Sequence, residues 1–216
     1  MLFPKGEDGE ISLKRVATLG VIFLLVTSIF SIFASEVLGS TGSFGHTALG
    51  TTQGLNGISG IYVSAFQAPA EANNGLITEI VCAVQTSSGS GFVVPVVYAA
   101  DGKSNQYASR DPSTLLSTGS PVAIGPTMEW RHMPLSTQVA IQGGQTYYFG
   151  YLSDVVTYCS QDYRNPPGTP TSIYEMELAG GWFSYPKPPS QFGKVMYVHA
   201  GVNILAVYAV YTIGGL

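Results

Sequence analysis

The chain is constrained first by the run from Val16 to Ala34, VATLGVIFLLVTSIFSIFA, which holds no charged residue and follows directly on Lys14 and Arg15. At about 1.5 Å per residue, a helix of this length reaches about 28 Å, close to the ~30 Å hydrocarbon thickness of a bilayer. A helix satisfies every backbone group in lipid, and Thr27, Ser28 and Ser31 can bond back to its carbonyls. The run therefore predicts one N-terminal transmembrane helix at 16–34, with the lipid bilayer as its partner and residues 1–15 as a cytoplasmic leader. Lys5, Lys14 and Arg15 precede it and no Lys or Arg recurs before Lys103, so the positive-inside rule sends the C-terminal part outside the cell. A cleaved secretory signal shows the same basic-then-apolar order, with small residues such as those from Ala34 to Gly39. Two features favour a retained signal-anchor: the run exceeds the usual ~7 to 15 residues of a signal core, and the leader carries Glu7, Asp8 and Glu10.

About 180 residues follow, enough for one domain with its own core. Charged residues make up 10% of the chain. That is far below the ~25% of average proteins, so the surface is polar mainly through uncharged groups. From Ser35 onward six basic residues stand against ten acidic ones, and without a basic patch nucleic acid is not expected as a partner. Residues 35–59, SEVLGSTGSFGHTALGTTQGLNGIS, show no sustained apolar period and are expected as a flexible stalk, which leaves 60–216 as the extracellular domain. Cys82 and Cys159 are the only cysteines, both on the expected outer side. There a disulfide closing about 76 residues would contribute on the order of 4 kcal/mol; the alternative is two buried thiols. No zinc set and no Asn-x-Ser/Thr acceptor occurs, and neither metal nor cofactor is expected.

From Gly60 no stretch carries a helical apolar stripe, while short runs rich in Val, Ile, Tyr and Phe recur between turn signals, so the domain is expected to be all-β. The pattern places strands at Ile61–Gln67, Leu76–Gln85, Phe92–Ala99, Ser120–Ile124, Met128–Leu135, Val139–Gln142, Thr146–Leu152, Ser172–Glu177, Lys194–His199 and Asn203–Thr212. Asn73-Asn74-Gly75, Ser88-Gly89-Ser90-Gly91, Ala100-Asp101-Gly102 and Gln142-Gly143-Gly144 supply the residues that positive φ needs. Pro95 in VVPVVY predicts an edge strand or a bulge. Both faces of NILAVYAVYT are apolar, as in a central strand that closes a core. Ser160–Thr171, with three prolines, is expected as a long surface loop beside the aromatic segment that follows it.

The order AFQAP, NGLITEI, VVPVVYAADG, WRHMPL, VAIQGGQTYYFGYLSD and AVYAVYT resembles secreted and surface-attached jelly-roll β-sandwich modules over about residues 59 to 212. The resemblance implies a jelly-roll-like antiparallel sandwich, non-catalytic and carbohydrate-binding-like; the proline-rich insertion departs from the shorter connection expected there. A partial resemblance to type IV pilin-like subunits rests on a basic leader, Lys5-Gly6, one apolar helix and a β-rich head. It implies a self-assembling filament subunit, although EDGEISLKR separates the glycine from the helix.

Catalytic chemistry finds little footing. His46, His132 and His199 lie in the stalk and in two strands, with no G-x-S-x-G elbow. Asp154, Asp162, Glu175 and Glu177 form no pair that spacing selects. The sequence Asp101-Gly102-Lys103-Ser104-Asn105 lacks the distal Glu of a calcium loop and reads as a turn. His132 shares the strand face of Trp130, which the flanking Glu129 and Arg131 predict to point into the core. Binding residues are sought among loop aromatics, since sugar rings stack on Trp and Tyr while neighbouring side chains bond their hydroxyls. Tyr163, Arg164, Trp182 and Tyr185 are the candidates. The expectation is a membrane-anchored, surface-displayed sandwich that adheres to a glycan or surface protein; the alternative is the pilin-like subunit.

Overall fold

The turn residues act where the pattern puts them: Asn74, Gly89 and Gly144 take φ of 64°, 69° and 79°, values that Gly and Asn adopt at little steric cost. Between such turns the computed structural model is all-β. It describes residues 39–56, 60–101, 112–162, 173–176, 185–192 and 204–214. The expected span at 16–34 and the expected strand Lys194–His199 lie outside these; among the described residues no helix is long and apolar enough to cross a membrane. Residues Thr41–Ile213 form one compact unit. Its strands are β1 Ser40–Gly45, β2 Thr52–Asn56, β3 Ile61–Gln67, β4 Leu76–Thr86, β5 Gly91–Ala99, β6 Leu115–Thr118 and β7 Val122–Ile124. They continue with β8 Glu129–Ala140, β9 Thr146–Ser153, β10 Thr157–Asp162, β11 Ile173–Met176, β12 Ile204–Leu205 and β13 Val207–Ile213.

Two antiparallel sheets result. In the first, β4 pairs with β8 along one side, while β13 and then β10 share its other side; β1 lies beyond β13 and β2 beyond β10. The second runs β11-β3-β9-β5, with β6 and β7 sharing the far side of β5. The inner faces meet in one core that holds Ile77, Ile80 and Val84 of β4 and Val207, Ala209 and Tyr211 of β13 against Tyr62, Phe66, Val97 and Phe149 of the second sheet. Phe149 stacks on Phe66 at 4.9 Å and meets Phe44 edge-on at 5.5 Å. Such pairs add about 0.5–1.5 kcal/mol beyond the ~1.5–3 kcal/mol from burying each large apolar side chain.

Several expectations are corrected. The stalk at 35–59 is folded over residues 40–56 as β1 and β2, with Phe44 in the core and Asn56 fully buried; its Gly, Ser and Thr obscure an edge strand because only Phe44 needs to be apolar. Met128–Leu135 and Val139–Gln142 are one strand, β8, with a register shift opposite Ile77–Glu79. β6 and β10 went unpredicted, and Ser160–Gln161 belong to buried β10 rather than to a surface loop. β5 is not an edge strand. Pro95 pairs with Tyr151 of β9, and on the other side β6 ends at Thr118 before β7 starts at Val122, so the missing N–H costs no ladder bond where the partner strand changes. Gly119 in that break bridges to Leu135 of β8; a Cβ there would lie 2.1 Å from Pro134 O and 2.7 Å from Pro95 Cγ. Glycine thus lets one sheet reach the edge of the other.

Candidate functional site

Of the residues selected from the sequence, Tyr163, Arg164 and Trp182 lie outside the described residues. Tyr185 is described, and it is not a displayed platform. The second sheet buries its outer face as well, in a cluster of Ile61, Val63, Val94, Val96, Tyr98 and Leu152, against which Tyr185 and Phe192 pack. The segment 185–192 lies on that face: Leu115 N donates to Ser190 O, Phe192 N to Ser113 O, Tyr98 OH to Pro189 O at 3.0 Å, and Phe192 meets Tyr98 edge-on at 4.7 Å. The Tyr185 hydroxyl is buried without a partner, and desolvation, aided by the negative charge of Asp154, pushes its pKa up to about 12. Tyr185 is therefore part of a cover, because the apolar outer face of β3, β5 and β9 requires one.

Trp130 reverses the expected parity. It stands opposite Ala83, on the outer face of the first sheet, half-buried and edge-on to Tyr208 at 5.4 Å. His132 shares that face, as expected, and its Nδ1 lies 3.2 Å from Glu79 Oε1. Glu129 and Arg131, paired at 2.9 Å, take the inward parity at the rim of the sandwich, where charges still reach water.

The expected disulfide is not formed; Cys82 and Cys159 remain buried thiols. Cys159 sits opposite Val84 and Cys82 opposite Val207, which sets the two cysteines diagonally on one face of β4 and β10. Diagonal neighbours stand about 7–8 Å apart at Cα, at or beyond the span a bridge accepts without backbone movement. Asn56 Nδ2 and Gln161 Nε2 each donate to Cys159 Sγ at 3.2 Å, and Gln161 fits there because Gly54 has no side chain in its way. Asn56 Nδ2 also donates to the Tyr151 hydroxyl, which shares a hydrogen bond with Thr157 Oγ1 at 3.2 Å. Burial raises the Cys82 thiol pKa, reinforced by Cys159, and burial likewise raises that of Tyr151. Both groups stay protonated, which suits packing rather than nucleophilic attack.

A cleft of about 430 Å³ opens elsewhere, between the β8–β9 hairpin and the end of β5 with β6. Its floor is Ala99, Ala100, Leu116, Val139 and Tyr147, and its rim carries Gln138, Gln142, Gln145 and Asp101. The hairpin is held rigidly: Gly144 N donates to Ala68 O at 2.9 Å, Ala68 N to Gln145 O at 2.8 Å and Gly143 N to Asn73 Oδ1 at 3.2 Å. The Tyr147 hydroxyl accepts from Gln142 N and donates to Ala140 O, fixing its ring in the floor. Asp101 accepts from Thr114 N at 3.0 Å and Thr114 Oγ1 at 2.7 Å, which joins the β5 end to β6. The three glutamines are exposed, and their amides make no hydrogen bond among the described residues. Each offers two donors and an acceptor at one mouth.

Among the described residues no histidine, cysteine or serine lines this cleft, and no cluster of potential metal ligands occurs. The arrangement can exchange hydrogen bonds with a neutral polar ligand and pack its apolar face on the floor. Sequence reasoning took Gln142-Gly143-Gly144 as a turn alone; the available signal was three glutamines within eight residues around the Gly-Gly pair. No protein-family model matches the chain, and no curated protein matches it in sequence.

Proposed function

We propose that this chain is a membrane-anchored, surface-displayed binding module of jelly-roll type, non-catalytic, which takes a glycan in the cleft between the β8–β9 hairpin and β6. Two lines support the architecture. The pairs β1–β13, β3–β9, β4–β8 and β5–β6 make one long antiparallel ribbon, and rolling it would give the orders β1-β13-β4-β8 and β3-β9-β5-β6. These orders support the reading of a double Greek-key roll. The apolar run 16–34 behind Lys14 and Arg15 supports the anchor and its orientation.

The observation that carries the binding reading is the set of three unengaged glutamine amides over an apolar floor. A sugar presents hydroxyls on its edge and C–H groups on its face, which matches amides at the rim and Val139, Ala99 and the Tyr147 ring below. Asp101 brings a negative charge to the rim, which favours neutral saccharides over acidic ones.

The test is glycan-array binding by the full chain in detergent, with Gln138→Ala and Gln145→Ala separately and together. Each lost hydrogen bond is expected to weaken binding several-fold, about 0.5–1.5 kcal/mol, with Tm unchanged because both side chains are exposed. Binding that survives the double variant would remove the cleft from consideration. N-terminal sequencing of the cellular protein checks the anchor: an intact leader agrees with it, and a start near Glu7 or beyond Ala34 does not.

A further inference from the structure

The four sheet edges are not protected alike. The β8 edge carries Glu129, Arg131, His132 and Pro134, and is further closed by the Gly119–Leu135 bridge and by Ser117 Oγ donating to Thr137 O. On the second sheet, β6 and β7 are four and three residues long and are separated by a break containing Pro121. The opposite edge, β11, is also four residues long and includes Glu175. Charges, prolines, breaks and shortness are the usual devices that stop one edge from pairing with another.

The β1–β2 edge has none of these charges or prolines. His46 N donates to Val207 O and Gly42 lies against the Tyr211 ring, so β1 runs antiparallel to β13; β2 runs antiparallel to β10. Since β13 and β10 follow one another along the same side of β4, β1 and β2 lie in line on one rim of the first sheet. Residues 40–56, STGSFGHTALGTTQGLN, include no Asp, Glu, Lys, Arg or Pro. Among the described residues no strand pairs with the far side of β1 or β2. Leu49 and Leu55 stand there 57% and 60% exposed, two of the few large apolar side chains left in water.

We infer that the β1–β2 rim is a self-association surface, at which a second copy of this chain pairs its own β1–β2 rim antiparallel and extends the first sheet across a two-fold axis. Self-pairing suits this rim in particular. A two-fold contact brings the same patch of both copies together, so a net charge on the rim would be doubled there, and residues 40–56 hold no Asp, Glu, Lys or Arg. The new ladder satisfies the unpaired backbone groups of both copies, and Leu49 and Leu55 leave water. This inference rests on the strand order and not on the cleft, so either can fail alone.

The experiment uses the full chain in detergent micelles. Sedimentation equilibrium should show a concentration-dependent dimer. Leu55→Lys combined with Gln53→Lys should weaken it by about tenfold or more, because four lysines then enter the paired rim. Thr137→Lys, an exposed site on β8, should leave it unchanged. A photo-crosslinking residue at position 55, in a mixture of light and isotopically heavy chains, should link to residues 40–56 of the other copy. This arm remains decisive if the lysine variants fold poorly. A monomer at every concentration, equal weakening by Thr137→Lys, or crosslinks from position 55 to residues 1–38 of the same chain would each overturn the inference.

Discussion

The outer faces of the two sheets differ in a way the strand sequences record. On the second sheet Ile61, Val63, Val94, Val96 and Leu152 are wholly buried, closed over in part by Tyr185 and Phe192. On the first sheet Trp130 and Tyr208 are half-buried, while His132 and Leu55 stand in water. Both sheets contribute their inner faces to the common core. A strand covered on two faces reads as a continuous apolar run, as in β3 and β9, and β8 on the open face mixes charged and polar residues into its run. But β13 is apolar on both faces although its outer Tyr208 and Val210 are only half-buried. A continuous apolar run thus marks a strand with a neighbour on each side, as β3, β9 and β13 have, and the packing of the fold decides which sheet carries a third layer.

The contrast is tested most severely by paired truncations on the two outer faces. Leu152→Ala, under the cover, should cost about 2–5 kcal/mol in chemical denaturation, while Val210→Ala on the half-open face should cost under about 1.5 kcal/mol. Equal losses would mean that the cover buries nothing of consequence.

The cover itself comes next. Phe192→Ala removes the ring that meets Tyr98 edge-on, and should cost about 2 kcal/mol while making the segment 185–192 the first site of proteolytic cleavage, before the sheets open. If cleavage begins in the β8–β9 hairpin instead, the cover is not the weaker layer.

The smallest effect is alkaline. Burial raises the pKa of Tyr98, Tyr151 and Tyr185, that of Tyr185 to about 12. A phenol whose folded pKa lies above its unfolded value of about 10 contributes stability that is whole below about pH 10 and is lost as pH rises through the folded value. For Tyr185 the loss falls between about pH 10 and about 12. Tyr185→Phe should flatten that part of the stability curve, read as denaturation midpoint against pH. A curve identical to that of the unaltered chain would show that Tyr185 ionises as though exposed.

Much of the architecture was legible because its causes are local. Ile61–Gln67 and Thr146–Leu152 are β-branched or aromatic runs bounded by turn residues, and the structure returns them nearly unchanged as β3 and β9. β1, β2 and β10 were not legible. TQGLN and TYCSQD carry few apolar residues, and they are buried with the Asn56 and Gln161 amide groups donating to Cys159 and Tyr151, a network assembled from β2, β9 and β10. The cleft was hidden for a related reason: Gln138, Gln142 and Gln145 are close in sequence, but Ala99, Asp101 and Leu116, which complete the cleft, come from distant parts of the chain and only the fold brings them there.

The sequence by itself determined the strand-forming runs, the turns at Asn74, Gly89 and Gly144, the scarcity of charge and the single long apolar run near the N-terminus. Those follow from side-chain chemistry and from the spacing of neighbours. Only the tertiary structure decided which way Trp130 faces, that Pro95 sits inside a sheet, that Cys82 and Cys159 stand diagonal, and that Tyr185 covers rather than displays. Each of these depends on which strand lies alongside and in what register, and a shift of one residue exchanges the two faces of a strand without changing its sequence.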